Sequence, residues 1–255
     1  MRGLPGSVRH GRVLLPPATL ACWRVDLAQP DSVVTALAGV LSDDERQRAA
    51  RFVFPRDRRQ YIVTRACLRV LLAAIVGDAP AALRLVYAPL GKPSLAPGST
   101  SAPLHFNVSH SEDVAVIAAA RDAPLGVDVE AVRPLPDMMD IASRFFTPAE
   151  TDTIAAVPPH QRALSFFLCW TRKEAFSKAL GDGLSLALDR YRVACRPGDP
   201  PRILAIDGST AAAAEWSMFD LEPAPGFVSA AVTRGKPQPP TLEDLDIVRD
   251  VLPWV

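Results

Sequence analysis

The sequence predicts an α+β chain of two similar lobes, each an antiparallel-rich sheet packed by a long helix. Two observations carry that expectation. Helical periodicity over residues 43–76 gives way to a series of short extended runs, and a second long helical segment ending near Gly181 is followed by more of them. A third observation fits both: 255 residues, 49% of them hydrophobic and 22% charged, suffice for one large core or two smaller ones. The expected boundaries are 1–124 for the N-terminal lobe, 125–235 for the C-terminal lobe and 236–255 for a tail.

Each element has a local reason. The proline-punctuated start to Pro30 holds one strand near 21–27. Asp43 and Asp44 open a charged helix, SDDERQRAARF. A second helix, PRDRRQYIVTRACLRVLLAAIVG, begins with Pro55 in the first turn, where a backbone donor would be unpaired anyway. Tyr61, Leu68, Leu71, Leu72 and Ile75 fall on one side of it, and most of Arg56, Arg58, Arg59, Arg65 and Arg69, which crowd the remaining surface, read as a solvated face. LRLVYAP, LHFNVSH, DVAVIAAA and PLGVDVEAV are extended runs separated by GKPSLAPGSTSAP and RDAP. MMDIASRFF is helical, and Thr147-Pro148-Ala149-Glu150 is a capping box that opens the next helix. Pro158-Pro159 precede the longest helix of this half, HQRALSFFLCWTRKEAFSKAL, with Gly181 or Gly183 as its stop. YRVAC, PRILAI, EWSMFDL and GFVSAAV alternate like an antiparallel sheet. The tail is expected to form a short helix at 241–251 or to hang free.

Bulk chemistry narrows the function. The 28 basic and 28 acidic side chains cancel, which argues against general nucleic-acid or membrane-surface binding. Cys22, Cys67, Cys169 and Cys195 stand far apart without zinc-ligand spacing, so buried free thiols in a reducing cytosol are expected. The apolar run RVLLPPATLACW is broken by Pro16 and Pro17 and is too short to span a bilayer. The expected location is cytoplasmic.

Three stretches carry chemistry. In GVDVE, valine alternation places Asp128 and Glu130 on one face of a strand, where two carboxylates repel unless a basic side chain or a metal ion lies between them. In the long helix, Trp170, Lys173, Glu174, Ser177 and Lys178 recur three or four positions apart. Alone, Glu174 and Lys178 would be an exposed helix pair worth roughly 0.2–0.5 kcal/mol. FNVSHS (106–111) ends an apolar strand with a histidine between two hydroxyls, and Gly91-Lys92-Pro93 adds a cation on a tight turn upstream.

Together FNVSHS, GVDVE and WTRKEAFSKALGDGL resemble the 4'-phosphopantetheinyl transferases, in particular the larger single-chain type that activates peptide and polyketide synthases (the surfactin-synthetase-activating, or Sfp, group). The blocks Asn-x-Ser-His-Ser, Gly-x-Asp-x-Glu and Trp-x-x-Lys-Glu-Ala-x-x-Lys stand in order, and Ala50-Arg51-Phe52 and Arg144-Phe145-Phe146 also fit. The resemblance spans roughly residues 42–188. It implies two pseudo-symmetric lobes with the active site between them, and a monomer, since one chain holds every block. It implies transfer of the phosphopantetheine arm of coenzyme A to a serine of an apo acyl or peptidyl carrier protein of a polyketide, nonribosomal peptide or fatty-acid synthase, releasing adenosine 3',5'-bisphosphate.

The resemblance also assigns roles. Asp128, Glu130 and Glu174 would hold Mg²⁺, an ion suited to a few carboxylates plus substrate phosphates. Glu174 is also a candidate base, and Lys178 would stabilise charge on the pyrophosphate. Asp128, Glu174 and Lys178 are thus the catalytic set. For coenzyme A, on the N-terminal side, His110 and Arg48 would meet the 3'-phosphate, Ser109 would make nearby phosphate contacts, and Gly91, Lys92 and Pro93 would line the adenine pocket. Lys173 is a further candidate cation, or else secures the helix in its lobe, and Trp170 is a packing residue. Glu45 stands where a relative carries a lysine, with Arg51 or Arg56 expected to compensate. Arg144 and the Phe145-Phe146 pair are candidates for receiving the carrier. Rival readings are a Mg²⁺-dependent phosphohydrolase and a catalytically silent coenzyme A or carrier-binding module.

Overall fold

The computed structural model describes residues 12–89, 91–100, 102–121, 123–181 and 187–255. Strand β1 (Leu20–Asp26) is followed by helices α1 (Asp31–Leu37), α2 (Asp43–Ala50) and α3 (Pro55–Val76). A hairpin of β2 (Leu85–Tyr87) and β3 (Pro93–Leu95) leads to β4 (Leu104–Ser111), β5 (Val114–Arg121) and β6 (Leu125–Ala131). Helices α4 (Met138–Phe145) and α5 (Pro148–Ala156) precede α6 (Arg162–Leu180). The chain closes with β7 (Tyr191–Val193), β8 (Ile203–Ile206), α7 (Thr210–Ala214), β9 (Trp216–Leu221), β10 (Phe227–Arg234) and β11 (Leu242–Asp244). The α+β class expected from the order of elements is the class observed.

Two sheets organise the molecule, β11-β1-β5-β4 and β6-β10-β9, antiparallel except for the β11–β1 pair. Side-chain alternation gives each strand two loyalties. Trp23 and Val25 of β1 and Ala115, Ile117 and Ala119 of β5 face a core shared with α3. The opposite faces, with Cys22, Val116 and Ala118, meet Val127 and Val129 of β6 and Ala231 of β10 in a second cluster between the sheets. The other face of the second sheet packs on Phe166, Ala175 and Phe176 of α6. Val127 and Val129 therefore point to the inter-sheet core, and Gly126, Asp128 and Glu130 take the α6 side.

The approach of α6 to β6 needs a glycine. A Cβ on Gly126 would lie 2.1 Å from the Ala175 carbonyl oxygen and 2.5 Å from the Ala179 nitrogen, far inside van der Waals contact. Gly181 ends α6 with φ +85°, the left-handed conformation that frees glycine to serve as a helix stop. Gly183, the alternative stop, lies outside the described residues, as does the rest of the GDGL segment from Asp182.

Several local expectations are corrected. Helix α1 was not among the expected elements; Val33, Val34 and Thr35 are β-branched, and burial of Val34 and Leu37 against the α3 core overrides that propensity. The tail forms no α-helix at 241–251. Instead β11 pairs parallel with β1 (Cys22 opposite Leu242), a π-helical turn spans Ile247–Val251, and Leu245, Ile247 and Val251 enter the α3 core. That pairing covers an edge β1 would otherwise expose. Arg69, read as solvated, is fully buried, donating to Glu45 (2.5 Å) and to the carbonyls of Pro80 and Leu83 (2.7 and 3.0 Å).

All four cysteines are free and buried, and burial raises the Cys22 thiol to about 12. Among the described residues, no helix is long and apolar enough to cross a membrane.

Candidate active site

Strands β4 and β6 lie edge to edge without a backbone ladder, and the polar residues of β4 stitch them together. The Asn107 side-chain oxygen accepts from the Val127 backbone N–H (2.9 Å), Ser109 donates to Asp128 Oδ1 (2.7 Å), and Ser111 donates to Glu130 Oε2 (2.9 Å) while accepting from the Ala131 N–H (3.2 Å). The period of two in Asn-x-Ser-x-Ser matches the pleat, so three successive side chains reach the same neighbour. Val108 and His110 take the other side of β4 and line a cavity of about 500 Å³.

That cavity collects residues from both halves of the chain. Arg48 of α2 and Tyr61, Thr64 and Arg65 of α3 form one wall; Asp128 and Glu130 of β6 with Trp170, Glu174 and Lys178 of α6 form the facing wall; Ser109, His110 and Pro93 also line it. Spacing of four along α6 puts Trp170, Glu174 and Lys178 on successive turns of one stripe. Lys173 and Ser177 fall outside that stripe and are fully buried. The expected five-residue face is therefore two faces.

On the carboxylate wall, Lys178 Nζ lies 2.7 Å from Asp128 Oδ1, 3.0 Å from Ser109 Oγ and 3.3 Å from the Val127 carbonyl. Arg133 approaches Glu130 at 3.8 Å. A basic side chain thus answers part of the repulsion that GVDVE poses. Part remains: Asp128 Oδ2 and Glu174 Oε1 are buried without a hydrogen-bond partner. Burial first, then the charges of Asp128 and Glu130, push the Glu174 carboxyl up to about 7, with Lys178 opposing. Burial also raises Glu130, against the hydrogen bond from Ser111.

Two unpartnered carboxylate oxygens on residues that line a cavity suit a hard divalent cation. Among the described residues, no group of three His, Cys, Asp or Glu side chains is arranged to hold an ion by itself. The donors fit an ion completed by substrate phosphates rather than a closed protein cage.

The opposite wall is cationic and aromatic. Arg48 and Arg65 lie over the Tyr61 ring at 5.6 and 5.5 Å, and Arg65 also lies 5.8 Å from the Tyr87 ring. Tyr61 Oη, Thr64 Oγ1 and Arg65 Nη1 are buried and unpartnered, a cluster of donors beside two guanidinium groups. Arg65 was read from sequence as solvated. The available signal was its position four residues after Tyr61 and three before Leu68, on the apolar side of α3. Glu45 does not line the cavity but backs this wall: it completes the capping box of Ser42, pairs with buried Arg69 and lies 3.6 Å from Arg65 Nε. Arg56 pairs with Glu112 and Asp113, and neither Arg51 nor Arg56 lines the cavity.

Other sequence candidates are separated from it. Lys173 is enclosed in the C-terminal core, on Glu150 Oε2 (2.8 Å) and the carbonyls of Leu188 (2.7 Å) and Tyr191 (2.5 Å). Glu150 does more than cap α5, since its Oε1 also accepts from the Val193 N–H at 2.7 Å. Gly91 turns the β2–β3 hairpin at φ +84°, and Lys92 points to backbone carbonyls of β6 and α6. Trp170 packs on Phe166 and Phe146 (6.0 and 6.2 Å between centroids) and presents its remaining surface to the cavity. Phe146 is buried in the core, leaving Phe145, with Arg144 5.2 Å from its ring, as the exposed member of that pair.

Comparison with known proteins identifies the family. The model of the 4'-phosphopantetheinyl transferase superfamily matches residues 124–232, and that of the 4'-phosphopantetheinyl transferase N-terminal region matches 28–122. The 4'-phosphopantetheinyl transferase HetI of Nostoc sp. is 37% identical over 213 residues, covering 84% of this chain and 86% of that protein. A 4'-phosphopantetheinyl transferase of Bacillus subtilis is 32% identical, covering 62% of this chain and 67% of its own. The human L-aminoadipate-semialdehyde dehydrogenase-phosphopantetheinyl transferase is also 32% identical, over 62% of this chain and 53% of its own length. The chain belongs to the 4'-phosphopantetheinyl transferase superfamily.

Proposed function

We propose that the protein transfers 4'-phosphopantetheine from coenzyme A to the serine of an apo carrier protein, leaving adenosine 3',5'-bisphosphate. The observation that carries this reading is one cavity with a cationic-aromatic wall and a carboxylate wall. The first suits a phosphorylated nucleoside; the second suits a cation-bound pyrophosphate.

Asp128, Glu130 and Glu174 would hold magnesium, which when bound supplies Lewis-acid neutralisation of the pyrophosphate. Arg48, Arg65, His110 and the Tyr61–Thr64 donors receive the 3'-phosphate, and Pro93 flanks the adenine. The carrier serine oxygen bonds to the phosphorus that bears the pantetheine oxygen. The bridging P–O bond breaks, and its electron pair leaves with the adenosine bisphosphate. Lys178, held by Asp128 and Ser109, stabilises charge on that leaving side. Glu174 takes the serine proton, directly or through a water, when its carboxylate is free of the cation; ligation and base catalysis compete for the same oxygens. Carriers of polyketide, nonribosomal peptide and fatty-acid synthases are the partner class, Arg144 and Phe145 are the docking candidates, and the working form is a cytoplasmic monomer.

Intact-mass measurement of a panel of apo carriers, incubated with coenzyme A and Mg²⁺, tests the reading. A phosphopantetheine-sized gain is expected, lost with Asp128→Ala and with chelator. Coenzyme A consumed without carrier labelling would overturn it in favour of hydrolysis. Coenzyme A bound without any turnover would leave a binding module.

A further inference from the structure

Lys92 sits where the β2–β3 hairpin meets the other half of the molecule. Its turn is closed by the Gly91 N–H on the Ala88 carbonyl (2.8 Å) and the Ala88 N–H on the Lys92 carbonyl (3.0 Å). The side chain does not line the cavity. Its ammonium donates instead to the carbonyl of Leu125 at 3.1 Å and to the carbonyl of Lys178.

These two acceptors are not interchangeable with any other pair of carbonyls. Lys178 lies in the last turn of α6, where the helix carries its negative end and its carbonyls run out of intrahelical donors. Leu125 is the first residue of β6, three positions before Asp128. The side chains of Lys178 and Asp128 meet at 2.7 Å. One ammonium therefore holds the backbone beneath both members of the ion pair. Burial and the nearby Lys178 charge disfavour a cation here, lowering the Lys92 pKa, so the two carbonyl bonds offset a real cost.

We propose that Lys92 is a positioning residue, a latch from the N-terminal hairpin onto β6 and the end of α6 that sets the Lys178–Asp128 geometry, rather than a contact to coenzyme A. Its kinetic consequence rests on the transferase reading given above; its structural consequence does not. Two other sets of contacts act at this corner: Ser109 of β4 bonds the side chains of Asp128 and Lys178 (2.7 and 3.0 Å), and from the β10 side Thr233 Oγ1 and the Arg234 N–H both bond the Pro124 carbonyl (3.0 and 3.3 Å). Neither set ties the backbone of β6 to the backbone of α6. Lys92 alone, among the described contacts, joins Leu125 to Lys178.

The test compares Lys92→Met, which keeps the stem and removes the donors, with Lys92→Arg and Lys92→Gln, which keep donors. Two readouts are taken on the full chain: carrier-labelling kinetics, and amide hydrogen exchange without coenzyme A. For Lys92→Met, kcat is expected to fall about 10–100-fold, the size of effect a displacement of about 1 Å brings, with KM for coenzyme A within about threefold of wild type. Exchange in the last turn of α6 is expected to quicken at least about tenfold while the turns around Phe166 stay protected. Lys92→Arg is expected to restore most of kcat and of the protection, and Lys92→Gln, with one bond, to fall between. A rise in KM of tenfold or more with unchanged kcat would overturn the latch and make Lys92 a substrate contact. Unchanged exchange and unchanged kinetics in Lys92→Met would overturn it outright. If the wild type labels no carrier, the transferase reading fails while the exchange comparison still decides the latch. Should Lys92→Met not fold, the same exchange comparison between Lys92→Gln and wild type carries the decision.

Discussion

Lys173 and Lys178 are five residues apart on α6, and both pair with a carboxylate, at 2.8 and 2.7 Å. They have opposite uses. Around Lys173, side-chain exposure is 0% for the lysine and 1% for Glu150, and three oxygens surround the ammonium. The Glu150 oxygens are also engaged, by Lys173, Val193 and the Thr147 cap. Around Lys178 the exposures are 25% and 6%, and Asp128 Oδ2 and Glu174 Oε1 have no partner. A charge cluster closed on itself holds a fold. One left open toward a cavity is poised for a ligand that closes it. Perturbed and unsatisfied groups gather where chemistry is done, and two faces of one helix separate the cases.

The strongest way to break the comparison is to unseat the helix that carries both lysines. Gly126→Ala drives a methyl into the Ala175 carbonyl, and a loss of at least about 4 kcal/mol is expected, read as failure to yield folded protein or as a collapsed thermal transition. A variant of near-normal stability would mean that α6 can shift on β6.

Lys173→Met comes next. It strands Glu150 as a buried carboxylate and is expected to cost about 3–5 kcal/mol in chemical denaturation, with activity per folded molecule little changed. Activity lost without loss of stability would return Lys173 to the list of cofactor contacts. Lys178→Met is expected to do the reverse. Carrier labelling should fall about 10²–10³-fold, and the unfolding midpoint should move less than for Lys173→Met, because the Lys178 side chain is 25% exposed rather than fully enclosed.

The smallest expected effect sharpens the electrostatic side. Glu174 titrates near 7 in the folded chain, above its ordinary value of 4.5. Between those values the folded state holds more protons than the unfolded one, so the stability this group contributes is present below about 4.5 and is lost as pH rises through 7. Metal-free Glu174→Gln should therefore match the wild type in thermal stability near pH 4.5. It should exceed it above pH 7, by about 1–2 kcal/mol after allowance for solvent screening, or a few degrees in Tm. Equal stability at both pH values would show that the carboxylate is not held at an energetic cost. Mg²⁺ should then raise the Tm of the wild type more than that of the variant.

Much of the fold was legible because local rules and global packing agree. Asp43 and Asp44 mark the start of α2, Thr147 announces a cap, Gly181 is a left-handed stop, and valine alternation in GVDVE sends Asp128 and Glu130 to one side. Where local preference disagrees with packing, sequence is silent or misleads. Helix α1, absent from the expected elements, and the tail that becomes β11 were decided by partners far away in the chain.

Charged side chains show the same division. Composition and spacing determined that arginines crowd α3 and that α6 carries Lys173, Glu174 and Lys178. Sequence also determined the family, since three motif blocks survive intact. Only the tertiary structure decided that Arg69 is buried on Glu45, that Arg65 turns into the cavity, that Lys173 belongs to the core, and that Lys92 reaches carbonyls of the other half. The physical reason is that a helix or strand fixes which residues share a face, whereas the free energy of a charge depends on what lies opposite that face.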